Sequence, residues 1–171
     1  LKDINLHIHA GETIGIIGGT GCGKSSFVNL ISRLYDVTEG SISVGGVDVR
    51  NYDMEVLRDK VAVVLQKNVL FSGTIRSNIV LREEGISDER IHEVCRYVNA
   101  DHFIDRLDHG LDEEVRERGN NFSAGQRQLL SFARTIIHEP EVMILDEATA
   151  NIDTETELLI PDSLEKMRNI G

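Results

Sequence analysis

The segment Gly18–Ser26, with the sequence GGTGCGKSS, constrains the fold of this chain more than any other stretch. It overlaps the end of the apolar run Thr13–Gly19, "TIGIIGG", and leads into Ser25–Tyr35, where apolar residues recur at helical spacing. The pattern predicts a strand, a glycine-rich loop and a helix in succession. Because strands alternate with helices further along the chain, we expect an α/β fold with a mostly parallel sheet.

The glycine-rich loop fits a phosphate-binding pattern, Gly18-x-x-x-x-Gly23-Lys24-Ser25. Glycines let backbone N–H groups converge on phosphate oxygens without Cβ collisions, and the start of the next helix adds partial positive charge. In this pattern Lys24 reaches the β- and γ-phosphates of a nucleotide, and the Ser25 hydroxyl ligates Mg²⁺. The residues expected to contact the nucleotide are Gly19, Thr20, Gly21, Cys22, Gly23, Lys24, Ser25 and Ser26.

A phosphate loop alone is compatible with adenylate kinases, small GTPases, helicases and transporters. The Asn-Lys-x-Asp motif with which GTPases read guanine is absent, so ATP is favoured. The formal net charge of −11 argues against partners such as nucleic acid or an anionic membrane surface. Cys22 and Cys95 lie far apart in sequence, which predicts neither a disulfide framework nor a zinc site.

Two carboxylates end the apolar run Glu141–Glu147, "EVMILDE". Ligands of open α/β sheets bind at the carboxyl ends of the strands, so the position of this pair favours a role in the site. We expect Asp146 to hold Mg²⁺ through water and Glu147 to polarise an attacking water. Without the phosphate loop, an acidic strand end that faces solvent would be the simpler interpretation.

Other patterns predict the surrounding elements. "SISVGGVDV" predicts a hairpin that turns on Gly45-Gly46, and "VAVVLQ" predicts a buried strand. Two helix starts are predicted, one capped by Ser87 and one with a capping box between Ser123 and Gln126. A last helix is expected to start near Asp153 or Thr154 and to kink or restart at Pro161. The helix after Ser87 should bury one face made of Ile91, Val94, Cys95 and Val98.

With these motifs in this order, essentially all 171 residues resemble the ATP-binding-cassette (ABC) family of P-loop NTPases. "NFSAGQRQLL" resembles the signature motif of that family, with Ala124 in place of its first glycine. The resemblance implies that Gln66 is the Q-loop glutamine, a contributor to catalysis and to the Mg²⁺ site. It also implies that Asp146 and Glu147 are the Walker B pair and that "ATANID" is the D-loop.

The resemblance further implies a head-to-tail dimer in which Ser123, Gly125 and Gln126 close over the ATP held by the partner. "LQKNVLFSGTIRSNI" and "EVRERGNN" resemble exporter domains, in which these stretches touch the membrane domain. The expectation is a single nucleotide-binding domain over residues 1–171, with a helical subdomain at about 75–120 between the Q-loop and the signature motif. It would hydrolyse ATP at the cytoplasmic face of a membrane, as half of a homodimer or a heterodimer.

Several features depart from the family pattern. Ala150 replaces the usual D-loop serine, no aromatic residue precedes Phe27, and no histidine follows His138. We therefore expect the adenine-stacking aromatic residue and the switch histidine to lie outside these residues. The 171-residue chain alone should then bind MgATP weakly and hydrolyse it slowly or not at all. A soluble ATP-gated interaction module, or a fragment that binds ATP without turnover, is the alternative interpretation.

Overall fold

The computed structural model of the chain describes residues 1–64, 69–146 and 156–170. The chain divides into two compact units, Leu1–Val63 with Pro140–Ile144 and Val64–Glu139 with Leu145–Ile170. Over the described ranges, every helix is too short or too polar to cross a bilayer.

Seven α-helices and six short strands are formed by the residues that the structure describes. The helices are α1 Lys24–Ile31, α2 Met54–Lys60, α3 Ile75–Val80, α4 Asp88–Tyr97, α5 Asp101–Asp105, α6 Ala124–Ile137 and α7 Ile160–Arg168. The strands are β1 Ser43–Val44, β2 Val47–Asp48, β3 Val61–Val64, β4 Gly73–Thr74, β5 Glu114–Val115 and β6 Val142–Leu145.

The pairing of the strands confirms the predicted fold class. β3 pairs with β6 in a parallel sheet, whereas β1 with β2 and β4 with β5 form antiparallel pairs. The hairpin expected at Gly45-Gly46 is the β1–β2 pair, with Val44 opposite Val47. The chain is therefore an α/β protein with a parallel sheet, a small antiparallel piece near the N-terminus and a helical part. The extent of the helical subdomain, about 75–120, stays a prediction.

The first unit has an apolar core beneath the β1–β2 hairpin. Val44, Val49, Leu57 and Val61 are buried there. Helix α2 contributes Leu57, and the Asp53 side chain caps this helix by accepting a hydrogen bond from the Glu55 N–H at 2.9 Å. An apolar residue that faces the core and a capped start together explain why this short helix forms at this position.

The strand predicted over Thr13–Gly19 is wrong, because these residues form no strand in the structure. Ile17 is 98% exposed, and Ile14 and Ile16 are about half exposed. An apolar run bounded by glycines indicates a strand, but a strand also needs a hydrogen-bonded neighbour, and the pattern does not specify one. Among the described residues of the first unit, none forms a hydrogen-bonded strand beside Thr13–Gly19.

The second unit is built around α6, which packs against α3, α4 and α7. The predicted cap of α4 is confirmed, since the Ser87 hydroxyl oxygen accepts a hydrogen bond from the Arg90 N–H at 3.2 Å. The predicted inner face of α4 is confirmed too: each of its members is at most 1% exposed. These are Ile91, Val94, Cys95 and Val98.

Helix α7 is attached to the end of α4 by polar contacts. The Asn99 side-chain amide donates to the Asp162 carboxylate at 2.7 Å, and the Tyr97 hydroxyl donates to the Lys166 carbonyl at 2.7 Å. Pro161 occupies the first turn of α7, where a missing N–H costs nothing. The prediction that a helix restarts at Pro161 is thus confirmed, while the predicted start near Asp153 lies outside the described residues.

The core of the first unit is tested by two neighbouring positions on α2. Leu57 is fully buried and Val56 is 45% exposed. We expect Leu57→Ala to lower the free energy of unfolding by about 2–5 kcal/mol, because it removes transfer energy and leaves a cavity. Val56→Ala should change it by no more than about 0.5 kcal/mol. Urea unfolding followed by circular dichroism measures both, and equal losses in the two variants would contradict this core.

Candidate nucleotide-binding site

The start of α1 is an open helix N-terminus. Gly23 is its N-cap residue with a φ of 100°, a left-handed conformation that glycine adopts without strain. No side chain caps the helix, and its first turn contains no acidic residue. Among the described residues, the first N–H groups therefore have no side-chain acceptor, and their partial positive charge is available to an anion.

The Lys24 side chain folds back over the loop that precedes it. Its Nζ donates a hydrogen bond to the carbonyl oxygen of Gly18 at 2.5 Å. An ammonium group has three donors, and a charge-assisted bond to phosphate is stronger than a bond to a neutral carbonyl. A phosphate group placed at the start of α1 would therefore compete favourably for Lys24.

Glycine at position 18 leaves room for the Cys22 side chain. A Cβ atom added to Gly18 would clash with the Cys22 sulfur unless that side chain moved. The loop is also closed by a hydrogen bond from the Cys22 N–H to the Gly19 carbonyl at 3.2 Å. The predicted phosphate-binding residues thus come together around a tight loop in the first unit. All of them are exposed except Gly23, which is half-buried.

The predicted capping box at the start of α6 is confirmed. The Ser123 hydroxyl oxygen accepts a hydrogen bond from the Gln126 N–H at 3.1 Å, and the Gln126 side-chain oxygen accepts one from the Ser123 N–H at 2.9 Å. Gly125 is buried one residue before Gln126. This helix start is therefore held rigidly, and its first turn contains no acidic residue.

Arg127 holds the segment that leads into α6, a role that the sequence analysis missed. Its guanidinium donates to the Phe122 carbonyl at 2.6 Å and to the Gly119 carbonyl at 3.3 Å. Phe122 is buried and packs edge-to-face on Phe103, with ring centroids 6.3 Å apart. An arginine four residues after a predicted N-cap is the sequence signal that could have indicated this contact.

Asp146 follows strand β6 directly and has an exposed side chain. Its backbone N–H donates to the Val64 carbonyl at 3.0 Å, which fixes the point where the chain leaves the strand. The carboxylate is therefore at the carboxyl end of a strand, as predicted. The other two predicted residues of this region, Gln66 and Glu147, lie outside the described residues.

The predicted site residues belong to both units of the chain. The phosphate loop and Ser25 lie in the first unit, and Ser123, Gly125, Gln126 and Asp146 lie in the second. Within each unit the structure brings together the residues of one motif, the loop around Lys24 in one and the capping box of α6 in the other.

The two cysteines have very different surroundings. Cys22 is exposed in the phosphate loop, whereas Cys95 is 1% exposed on the inner face of α4. Burial raises the pKa of the Cys95 thiol to about 12, with smaller contributions from the charges of Asp101 and Asp105. Cys95 is therefore an inert thiol at neutral pH, and Cys22 is the accessible one.

Comparison with known proteins extends these findings. Residues 1–150 match the family described as ABC transporter. The chain is 49% identical over 168 residues to exp8 of Streptococcus pneumoniae, whose name describes an ABC transporter ATP-binding protein; the match covers 98% of this chain and 29% of that protein. It is 44% identical to YknV of Bacillus subtilis, an uncharacterized ABC transporter ATP-binding protein, over 98% of this chain and 28% of the relative.

A eukaryotic relative is the multidrug resistance protein pgp-1 of Caenorhabditis elegans. It is 42% identical over 166 residues, which cover 97% of this chain and 13% of that protein. The chain thus spans less than a third of the length of each of these relatives, and it matches them along almost all of its own length. The residues, the fold and these matches together show that the chain belongs to the ABC transporter family.

Proposed function

We propose that this chain is the domain that binds and hydrolyses ATP for a membrane exporter, acting at the cytoplasmic face of the membrane. The relatives support this proposal, because their names describe ATP-binding proteins of ABC transporters and a multidrug resistance protein. The family is one of ATPases. The transport itself would be carried out by membrane segments of the longer protein or of a partner, so the exported substrate is not specified by these residues.

The observation that carries the proposal is the open start of α1 beside the Lys24 ammonium group. The N–H groups have no side-chain cap, the first turn has no acid, and the exposed Lys24 ammonium group bonds only a neutral carbonyl among the described residues. All three features favour a phosphate chain at this position. The other described α-helices either have a side-chain cap, as α4 and α6 do, or have an acid in the first turn, as the uncapped α5 and α7 do, whereas α1 has neither.

The residues predicted to hold Mg²⁺, Ser25 in the first unit and Asp146 in the second, offer donor atoms of a type that fits MgATP. Ser25 is exposed in the first turn of α1 and would supply a hydroxyl ligand, and Asp146 is exposed at the end of β6 and would supply a carboxylate through water. Oxygen ligands of this kind suit Mg²⁺, which neutralises charge on the β- and γ-phosphates when it is bound. Lys24 would hold the same two phosphate groups.

The catalytic roles fall on Glu147 and Gln66. Glu147 follows Asp146 in sequence, and as a carboxylate it would orient and polarise the attacking water. Gln66 would complete the Mg²⁺ site and position that water. In the proposed head-to-tail dimer, Ser123, Gly125 and Gln126 of one subunit would close over the γ-phosphate held by the other, because a rigid helix start without acids is suited to an anion.

The binding half of the proposal is tested by Lys24→Ala. We expect the dissociation constant for MgATP to rise about 10- to 100-fold, because a charge-assisted contact to phosphate is lost. Isothermal titration calorimetry measures this constant. Lys60→Ala is the matched control in the same unit, since Lys60 pairs with Glu141 at 2.5 Å and has no role in the loop. Wild-type affinity in Lys24→Ala would contradict the phosphate loop.

The exposed thiol of Cys22 offers an independent test of occupancy. We expect alkylation at pH 8 to modify Cys22 and to leave Cys95 unmodified, and saturating MgATP should slow the Cys22 reaction about tenfold or more by covering the loop. Mass spectrometry of the two cysteine peptides gives both rates, and AMP serves as the control nucleotide. If MgATP and AMP have the same effect on Cys22, the phosphates do not bind at this loop.

The catalytic half is tested by Glu147→Gln in the full-length protein that carries these residues. We expect phosphate release to fall about 100-fold or more, because a general base is replaced by an amide, while MgATP affinity is retained. Glu141→Gln, which removes an exposed carboxylate near the same strand, should retain turnover. Turnover that is insensitive to Glu147→Gln would exclude this residue as the catalytic carboxylate, and retained MgATP binding without any wild-type turnover would favour an ATP-gated binding module.

A further inference from the structure

Arg134 lies near the end of α6 and is half-buried. No carboxylate of the described residues lies within salt-bridge distance of it, and burial lowers the pKa of its guanidinium. Its N–H groups instead donate to oxygens on other segments: Nε to the Asn78 carbonyl at 2.8 Å and Nη1 to the Val69 carbonyl at 3.1 Å. The planar arrangement of the guanidinium N–H donors, rather than the positive charge alone, therefore lets Arg134 bind several oxygens at once.

Asn78 completes this contact from helix α3. It is 2% exposed, and its side-chain oxygen accepts both from Arg134 Nη2 at 3.1 Å and from the Phe71 N–H at 2.8 Å. Its side-chain nitrogen donates to the carbonyls of Phe71 at 2.8 Å and Thr74 at 2.9 Å. One buried amide therefore binds both backbone groups of Phe71, in the way a neighbouring strand would.

The Phe71 ring adds a third contact to the same arginine. The guanidinium carbon of Arg134 lies 5.5 Å from the ring centroid, within the range of a cation–π interaction, although the ring is 57% exposed. Segment 69–74 is consequently held to α6 by hydrogen bonds and by a ring contact. Arg134, Asn78 and Phe71 are called the α6 clamp below.

The clamp connects two regions that the proposed function requires. Helix α6 begins at the capping box of Ser123, and Arg134 lies ten residues after the first helical residue, about 15 Å further along the helix axis. Segment 69–74 begins three residues after Gln66 in sequence. A single rigid helix thus has the predicted signature residues at one end and, at the other, the segment that follows the predicted catalytic glutamine.

We propose that Arg134 and Asn78 are positioning residues, which make segment 69–74 and helix α6 move as one body during the ATPase cycle. This inference rests on the proposed function. When the start of α6 is drawn toward a nucleotide, the clamp would carry the displacement into segment 69–74. Loss of the clamp would leave nucleotide binding by the phosphate loop intact, because Lys24 and its loop lie in the other unit.

The mechanical part of the inference is tested by hydrogen exchange in Arg134→Lys. Lysine keeps the positive charge but loses the fork, so backbone amides of segment 69–74 should exchange about tenfold faster or more, while peptides from the first unit are unchanged. Arg76→Lys is the matched control, because Arg76 lies two residues from Asn78 but pairs with Asp88 and Asp112. Phe71→Leu, an exposed change that removes only the ring contact, should give a smaller increase and keeps the test available if Arg134→Lys fails to fold.

The functional part is tested by steady-state kinetics of the same variants in the full-length protein. We expect Arg134→Lys to lower kcat for ATP about tenfold or more with KM changed less than about twofold, whereas Arg76→Lys retains both constants. A rise in KM for Arg134→Lys would overturn the positioning role. An equal loss of kcat in Arg134→Lys and Arg76→Lys, at equal thermal midpoints of unfolding, would also overturn it. Faster exchange with normal kcat would overturn the coupling, and a wild-type protein without turnover would instead contradict the proposed function.

Discussion

An α-helix cannot satisfy its own first N–H groups, and the proposed function depends on the way α1 leaves these groups without a side-chain cap. Gly23 at its N-cap has no side chain to offer, its first turn has no acid, and Lys24 adds a full positive charge at the same place. In a chain with a formal net charge of −11, such a concentration of positive potential is a local exception. The tight loop around Gly18 and Cys22 fixes the position of these positive groups.

Helix α6 handles the same physical problem differently. Its start is closed by the reciprocal bonds of Ser123 and Gln126, and Arg127 holds the segment that leads into it. A helix that is capped at one end and clamped by Arg134 at the other is stiff along its length. The open start of α1 is therefore suited to receiving an anion, whereas α6 is suited to delivering a fixed surface to one. This contrast is what a two-sided nucleotide site in a dimer would need.

Local patterns predicted the parts of the fold that depend on near neighbours in sequence. The hairpin at Gly45-Gly46, the caps at Ser87 and Ser123 and the helix restart at Pro161 are all found, because each is specified by a few adjacent residues. The strand over Thr13–Gly19 is not found, since strand pairing depends on a partner that its own pattern does not name. The contact between Asn78 and Arg134 could not be predicted from the sequence either, because these residues are far apart in sequence and meet only through packing. The roles of the site residues, Glu147 and Gln66 among them, stay predictions.

In the proposed function, the loop before α1 and the first turn of that helix bind the phosphate chain of a nucleotide. The most direct measurement is the change in backbone amide resonances of the 171-residue chain, labelled with ¹⁵N, on titration with MgATP and separately with AMP. We expect MgATP to produce its largest resonance shifts in residues 18–26, because their N–H groups exchange water for phosphate oxygens and Lys24 leaves the Gly18 carbonyl; AMP should not produce these shifts. Resonances of residues 18–26 that do not move at saturating MgATP would contradict phosphate binding at this loop.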